Sequence, residues 1–248
     1  MENKQQFPAE EVTLPSKGLL YPEDSPLRNG IIEMKYMTAR EEDILTNVNL
    51  IENGTVIDKL LESLIVSKID FNDLLIGDKD ALLIAARILG YGEDYSFIHQ
   101  GEKININLST IKDKPIDESL IIDNKNEFRF TLPTSKKEVT FKFLTHGDEQ
   151  KIMKELKGLK RLNKNSSNDM STRMKYILTS IEEDYETKTI REFVDNEFLA
   201  RDARELRNHI SKIQPSVDLS FDYEDQRGNV IKLDIPVGIQ FFWPDASI

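Results

Sequence analysis

The sequence predicts an α+β protein in which helical segments are followed by antiparallel β-hairpins, arranged as two lobes joined by a polar linker. Three observations carry that reading. Apolar residues recur at helical spacing up to about residue 90, and from Tyr95 the period changes to two. The same helix-then-hairpin order returns after "NKNSSND", residues 163–169, a short-sided polar stretch with no apolar anchor. That stretch is the expected linker between an N-terminal lobe, 1–162, and a C-terminal lobe, 170–248.

Residues 1–30, rich in Pro and Gly towards their end, read as an extended arm, and Ile32, Met34 and Tyr36 then alternate as a strand. Helices are expected over about 38–90. Thr38 and Glu41 have capping-box spacing, and acidic residues crowd the first turn, where they suit the helix dipole. Gly54 breaks this helix, and "NGT" at 53–55, although it matches a glycosylation sequon, reads as a turn. Ile57, Leu60, Leu61, Leu64 and Ile65 then share one helix face. "GDKDALLIAARILGYG" is apolar on nearly all sides and so predicts a buried helix, with Asp78 as its cap and Gly90 as its stop.

Hairpins follow over about 94–145. One alternates on either side of Gly101, and the other sets Phe128, Phe130 and Leu132 against Val139, Phe141 and Phe143. A helix is expected over about 147–162. Beyond the linker, "MSTRMKYILTSI" reads as one helix and "TIREFVDNEFLARDARELRNHISKI" as another, opened by a Thr189–Glu192 capping pair and closed by Pro215. Leu219, Phe221 and Tyr223 against Ile231, Leu233 and Ile235 make a third hairpin, turning around Arg227 to Asn229. Its alternation runs on through Pro236 and Gly238 into "IQFFWP". At least one of Phe241 and Phe242 should therefore point inward, anchoring the tail to the C-terminal lobe with roughly 1.5–3 kcal/mol per buried ring. Trp243 and Pro244, with Phe242, are candidate partner contacts at the rim, since Trp combines large apolar area with a donor.

Composition narrows the function. The 248 residues carry 33 Lys and Arg against 44 Asp and Glu, a net charge of −11, which opposes general binding to nucleic acid. There is no cysteine, so disulfides and thiol chemistry are excluded. The three histidines, His99, His146 and His209, form no close ligand pair, so neither a metal nor a cofactor is expected. No basic, apolar leader and no apolar run long enough for a membrane span are evident, and a soluble, cytosol-made protein is expected.

Candidate chemistry is sparse. "LGYGEDY" follows a helix instead of leading from a strand into one, so its glycines read as a cap and turn, not a phosphate cradle. "THGDE", Thr145 to Glu149, could supply an acid/base pair or simply an N-cap with acidic first-turn residues. "EEDYE" at 182–186 lacks the spacing of a calcium loop and reads as solvated charge. "KIMKELKGLKRLNK" reverses the sign of the chain, with Lys151, Lys154, Lys157, Lys160, Arg161 and Lys164 against Glu155. It is either a solvated face or a docking stripe for an acidic partner, and Lys154, Lys157 and Arg161 are its candidate contacts.

"LPSKGLLYPEDSPL", "MKYMTAREEDILTNVNLIENGTVIDKLLESLIV", "LLIGDKDALLIAARILGYGEDY", "FKFLTHGDE" and "IPVGIQFFWP" together resemble the baseplate hub protein and hub-assembly family of T-even-type contractile-tailed bacteriophages. The matching blocks run in order from about residue 13 to the C-terminus. The resemblance implies virion morphogenesis without enzyme activity: a hub component or chaperone-like assembly factor, made in the host cytoplasm and either kept in the virion baseplate or not. Its partners would be other hub or tail proteins, including the tape-measure protein. It also implies Cys-x-x-Cys knuckles at the turns near 98–101 and 222–228, but these read "IHQG" and "DYEDQRG" here, so no metal site is carried over. The alternative is a cell-wall-degrading hydrolase of the tail hub using carboxylates near His146, although a sugar cleft needs more aromatics than this chain can spare from its core.

Overall fold

Eight helices and nine strands follow one another in this computed structural model, which describes residues 8–162, 168–224 and 228–242. In chain order they are β1 (Ala9–Thr13), β2 (Ile31–Lys35), α1 (Ala39–Leu45), α2 (Val48–Asn53), α3 (Val56–Leu64), α4 (Ile76–Tyr91), β3 (Asp94–His99), β4 (Glu102–Asn107), β5 (Phe128–Thr131), β6 (Glu138–Phe141), α5 (His146–Leu162), α6 (Asp169–Ile177), β7 (Leu178–Ile181), α7 (Thr187–Asn196), α8 (Ala200–Ile213), β8 (Ser220–Glu224) and β9 (Val230–Asp234). Four small antiparallel sheets result: β1–β2, β3–β4, β5–β6–β7 and β8–β9. The fold is α+β. One hydrophobic cluster runs from Leu14 to Phe242 and takes residues from both sides of the 163–169 segment, most of which lies outside the described residues.

The expected hairpins form, and the structure supplies their registers. Phe128 pairs with Phe141 and Phe130 with Val139, while Phe221 pairs with Leu233 and Tyr223 with Ile231. The turn of this last hairpin, at 225–227, lies outside the described residues.

Several elements differ from the sequence expectation, each for a local reason. Residues 8–30 do not run out as an arm. Val12 pairs with Ile32 in an antiparallel ladder, and Leu14, Leu20, Tyr21 and Leu27 are buried in the core. Gly18, at φ +75°, permits the fold-back, because a Cβ there would meet the Arg28 carbonyl oxygen at 2.2 Å. Glu41 completes the Thr38 capping box, accepting from the Thr38 N–H at 2.9 Å, yet that helix ends at Leu45. Asn47 caps a separate α2, which closes at a left-handed Gly54.

Asp78 does not cap α4. The helix starts one turn earlier, after Leu75, which leaves Asp78 buried in its first turn. Gly90 does not stop it either: it lies inside the helix against Met37, and Gly92 takes the cap. "LTSI" leaves the helical pattern of α6 to become β7, because Leu178, Ser180 and Ile181 pair along the β6 edge as a third strand. The long helix after Thr187 is two. Glu186 caps α7, with Thr189 in its first turn, and both Glu197 and Phe198 donate back to the Phe193 carbonyl. Phe198 then packs on Phe193 with ring centroids 5.3 Å apart. Beyond Ile235, whose N–H donates to the Leu219 carbonyl at 2.9 Å, the chain leaves the ladder and closes in a 3-10 turn, Ile239–Phe242.

α4 is the hub of the packing. Gly77 lets it touch the Pro215 loop, since a Cβ there would come within 1.8 Å of the Pro215 carbonyl oxygen. Both ends of the described chain also lie on it. Asp78 accepts from the N–H of Ser16 at 2.8 Å, the Ser16 hydroxyl at 2.6 Å and the Tyr21 hydroxyl at 2.6 Å. Arg87 donates to the carbonyls of Phe241, Gly92 and Asp94 at 2.9, 3.2 and 3.3 Å.

Candidate interaction surface

The C-terminal aromatic pair is an anchor. Phe241 and Phe242 are both fully buried, so Phe242 is corrected from partner contact to core: the 3-10 turn points both rings inward where a strand would have split them across two faces. Phe241 packs edge-on against Tyr95 with centroids 4.8 Å apart, and its carbonyl is held by Arg87. The anchor therefore includes α4 and β3, on the far side of the 163–169 segment from where it was expected. Trp243 and Pro244 lie outside the described residues.

The side chains of "THGDE" are committed to structure. Thr145 and Asp148 cap α5 reciprocally, each donating its backbone N–H to the other's side chain at 3.2 Å, and Asp148 also takes Lys142 at 2.6 Å. Glu149 is held in two parallel bonds by Arg173, at 2.7 and 2.8 Å. His146 is 5 % exposed, edge-on to Phe71, and has Lys79 Nζ 3.4 Å from Nδ1. Burial, followed by Lys79, holds its pKa below the ordinary value. A general acid or base needs reach to a substrate, and here the reach is taken by Lys142, Arg173 and Phe71.

α5 divides its charges by face. Ile152 is fully buried, and Glu155, Leu156 and Leu159 lie half-buried beside it. Glu155 is clamped by Arg191 at 2.7 and 2.8 Å and by the Tyr176 hydroxyl at 2.9 Å. Arg191 hydrogen bonding prevails over burial and holds the Glu155 carboxyl down at about 2. Each acid of the helix is thus spent inward. The outward face carries Lys151, Lys154, Lys157, Lys160 and Arg161, all exposed, together with Met153. None of these five cations makes an ion pair among the described residues. Lys151, Lys154, Lys157 and Arg161 lie within about 120° of helix circumference, so they form one stripe. The sequence exposes the stripe through its spacing, but the inward spending of Asp148, Glu149 and Glu155 depends on Lys142, Arg173 and Arg191, which only the fold brings near.

A family model described as "T4 bacteriophage base plate protein" matches residues 10–235. The chain belongs to that family. No curated protein and no solved structure matches it. Membership of the baseplate family points to other phage baseplate proteins as partners and to the virion tail as the setting. Among the described residues, no helix is long and apolar enough to cross a membrane.

Proposed function

We propose that the chain is a non-enzymatic component of the baseplate hub, or of the machinery that assembles it, and that it works through protein contacts made by the outward face of α5. The observation that carries this reading is the segregation on α5: five exposed cations without an ion pair among the described residues, on a chain whose net charge is −11. Solvation alone gives no reason for a helix to keep every acid inside and every cation outside. An acidic partner surface does, because it gains long-range steering and register from such a stripe. The non-enzymatic reading is supported by the commitments of Asp148, Glu149 and His146.

Mass spectrometry of purified particles and of tail-assembly intermediates tests the role. Presence in particles supports a resident hub protein, and presence in intermediates alone supports an assembly factor. Absence from both overturns the reading. Copurification with a tagged hub or tape-measure protein should be lost in Lys154→Glu/Lys157→Glu/Arg161→Glu. A zymogram on bacterial cell wall should show no clearing by the wild-type chain, and clearing would restore the hydrolase.

A further inference from the structure

The molecule carries a second charged feature, opposite in sign to α5. β7 ends in a two-residue reversal in which Ile181 and Asp184 exchange both backbone hydrogen bonds, at 3.0 and 2.9 Å. The two central residues, Glu182 and Glu183, have φ of 50° and 64°, the left-handed backbone of a tight hairpin turn. Glu183, Asp184, Tyr185 and Glu186 stand out in solvent, with Tyr185 59 % exposed. Glu182, also exposed, accepts the Glu138 N–H with its carboxylate. Glu183, Asp184 and Glu186 make no ion pair among the described residues. One molecule therefore displays an unneutralised cationic helix face and an unneutralised acidic turn with an exposed aromatic ring.

We propose that the cationic face of α5 docks the 182–186 turn of a second copy of this chain, making a head-to-tail contact. The inference rests on reading α5 as a contact surface and names its occupant. Charge complementarity is the argument. Glu183, Asp184 and Glu186 supply three carboxylates to a stripe of Lys151, Lys154, Lys157 and Arg161, and Tyr185 offers a ring to the lysine stems and to Met153, which is 43 % exposed. Because the two patches differ, the contact is heterologous, and repetition closes a ring or extends a filament according to the rotation between copies. Exposed charges dominate it, so it is salt-sensitive.

Sedimentation velocity on the full chain tests this over a concentration series at about 0.01 M and about 1 M salt, where the screening length falls from about 30 Å to about 3 Å. Mass should rise with concentration at low salt and return to monomer at high salt. Lys154→Glu/Lys157→Glu/Arg161→Glu and Glu183→Lys/Asp184→Lys/Glu186→Lys should each stay monomeric, and an equimolar mixture of the two should associate again, since each now complements the other. Circular dichroism checks that both variants fold. Should a triple variant misfold, Lys157→Glu with Glu183→Lys gives the same test at single sites. Wild type that remains monomeric at low salt, association that survives either reversal, or a mixture that fails to recover overturns the proposal. If wild type is monomeric while the α5 reversal still abolishes copurification with a hub protein, the occupant is another baseplate protein, and only the self-contact falls.

Discussion

Helix α4 holds the two ends of the described chain by opposite means. Near its start a buried carboxylate, Asp78, gathers hydrogen-bond donors from Ser16 and Tyr21. Nine residues on, a buried guanidinium, Arg87, gathers the carbonyls of Phe241, Gly92 and Asp94. Nine residues amount to about 14 Å and half a turn of azimuth, so the clamps occupy opposite sides of the helix. No opposite charge lies within ion-pair distance of either among the described residues. The difference lies in what burial does to each ion. A carboxyl can escape the cost by taking a proton, and burial indeed raises the Asp78 pKa against the hydrogen bonds that favour its charge. Burial lowers the Arg87 pKa too, but a guanidinium keeps its charge throughout the working range, and the faces of Tyr91 and Tyr95 lie 5.2 and 5.7 Å from it. The N-terminal clamp is therefore titratable, and the C-terminal clamp is not.

The comparison can be broken first at its C-terminal side. Phe241→Ala deletes a fully buried ring and should cost about 3–5 kcal/mol in denaturant unfolding, the largest effect among these changes. Arg87→Met keeps most of the volume but strands the carbonyls of Phe241, Gly92 and Asp94. Its expected cost is about 2–3 kcal/mol, the same at pH 5 and pH 8. A loss that changed with pH would show that the Arg87 clamp is titratable after all. On the N-terminal side, Tyr21→Phe removes one donor to Asp78 and the acceptor of the Leu75 N–H, and should cost about 1.5 kcal/mol. Proteolysis should then cut within 8–30 before it reaches the C-terminal turn.

Much of the architecture was legible because it is local. Alternation gave the hairpins, and Thr38 with Glu41 gave a real capping box, in which burial works to raise Glu41 but hydrogen bonds led by Thr38 hold it at about 2. The clamps were not legible. "SKGLLY" looks like a loop and "ALLIAARILG" like a buried helix with one misplaced cation. Their meaning depends on partners 62 and 154 residues away. Asp78 reads as a cap because Asp commonly caps, and only the earlier start of α4 shows that its carboxylate serves the N-terminal segment. The strand β7 is illegible for a related reason: "LTSI" continues a helical pattern until the β6 edge requires pairing. At the candidate surface the spacing of Lys154, Lys157 and Arg161 was visible, whereas the fate of the neighbouring acids was not.

The smallest change sharpens the contrast most. In Asp78→Asn the carbonyl oxygen can still accept from the Ser16 N–H, and the amide can donate to the hydroxyl oxygens of Ser16 and Tyr21, whose own protons lose their acceptor at a cost that does not depend on pH, while the charge is gone. The sign follows from linkage. A carboxyl whose folded pKa is raised contributes stability that is fully present below its unfolded value, about 3.9, and is lost as pH rises through the folded value. Asn carries no such loss, so the stability of Asp78→Asn relative to wild type should improve as pH rises above about 4, by up to about 1.4 kcal/mol per unit, and level off once the folded carboxyl is ionised. Asp80, pushed up to about 6 by burial, titrates in both proteins, and its direct contribution largely cancels in the difference. Asp113, whose charge adds to the rise at Asp78, is likewise present in both. Thermal melts of the two proteins from pH 4 to 8 measure the gap. A gap that stayed constant would mean that Asp78 keeps the same protonation in the folded and unfolded chains, and would remove the distinction between the two clamps.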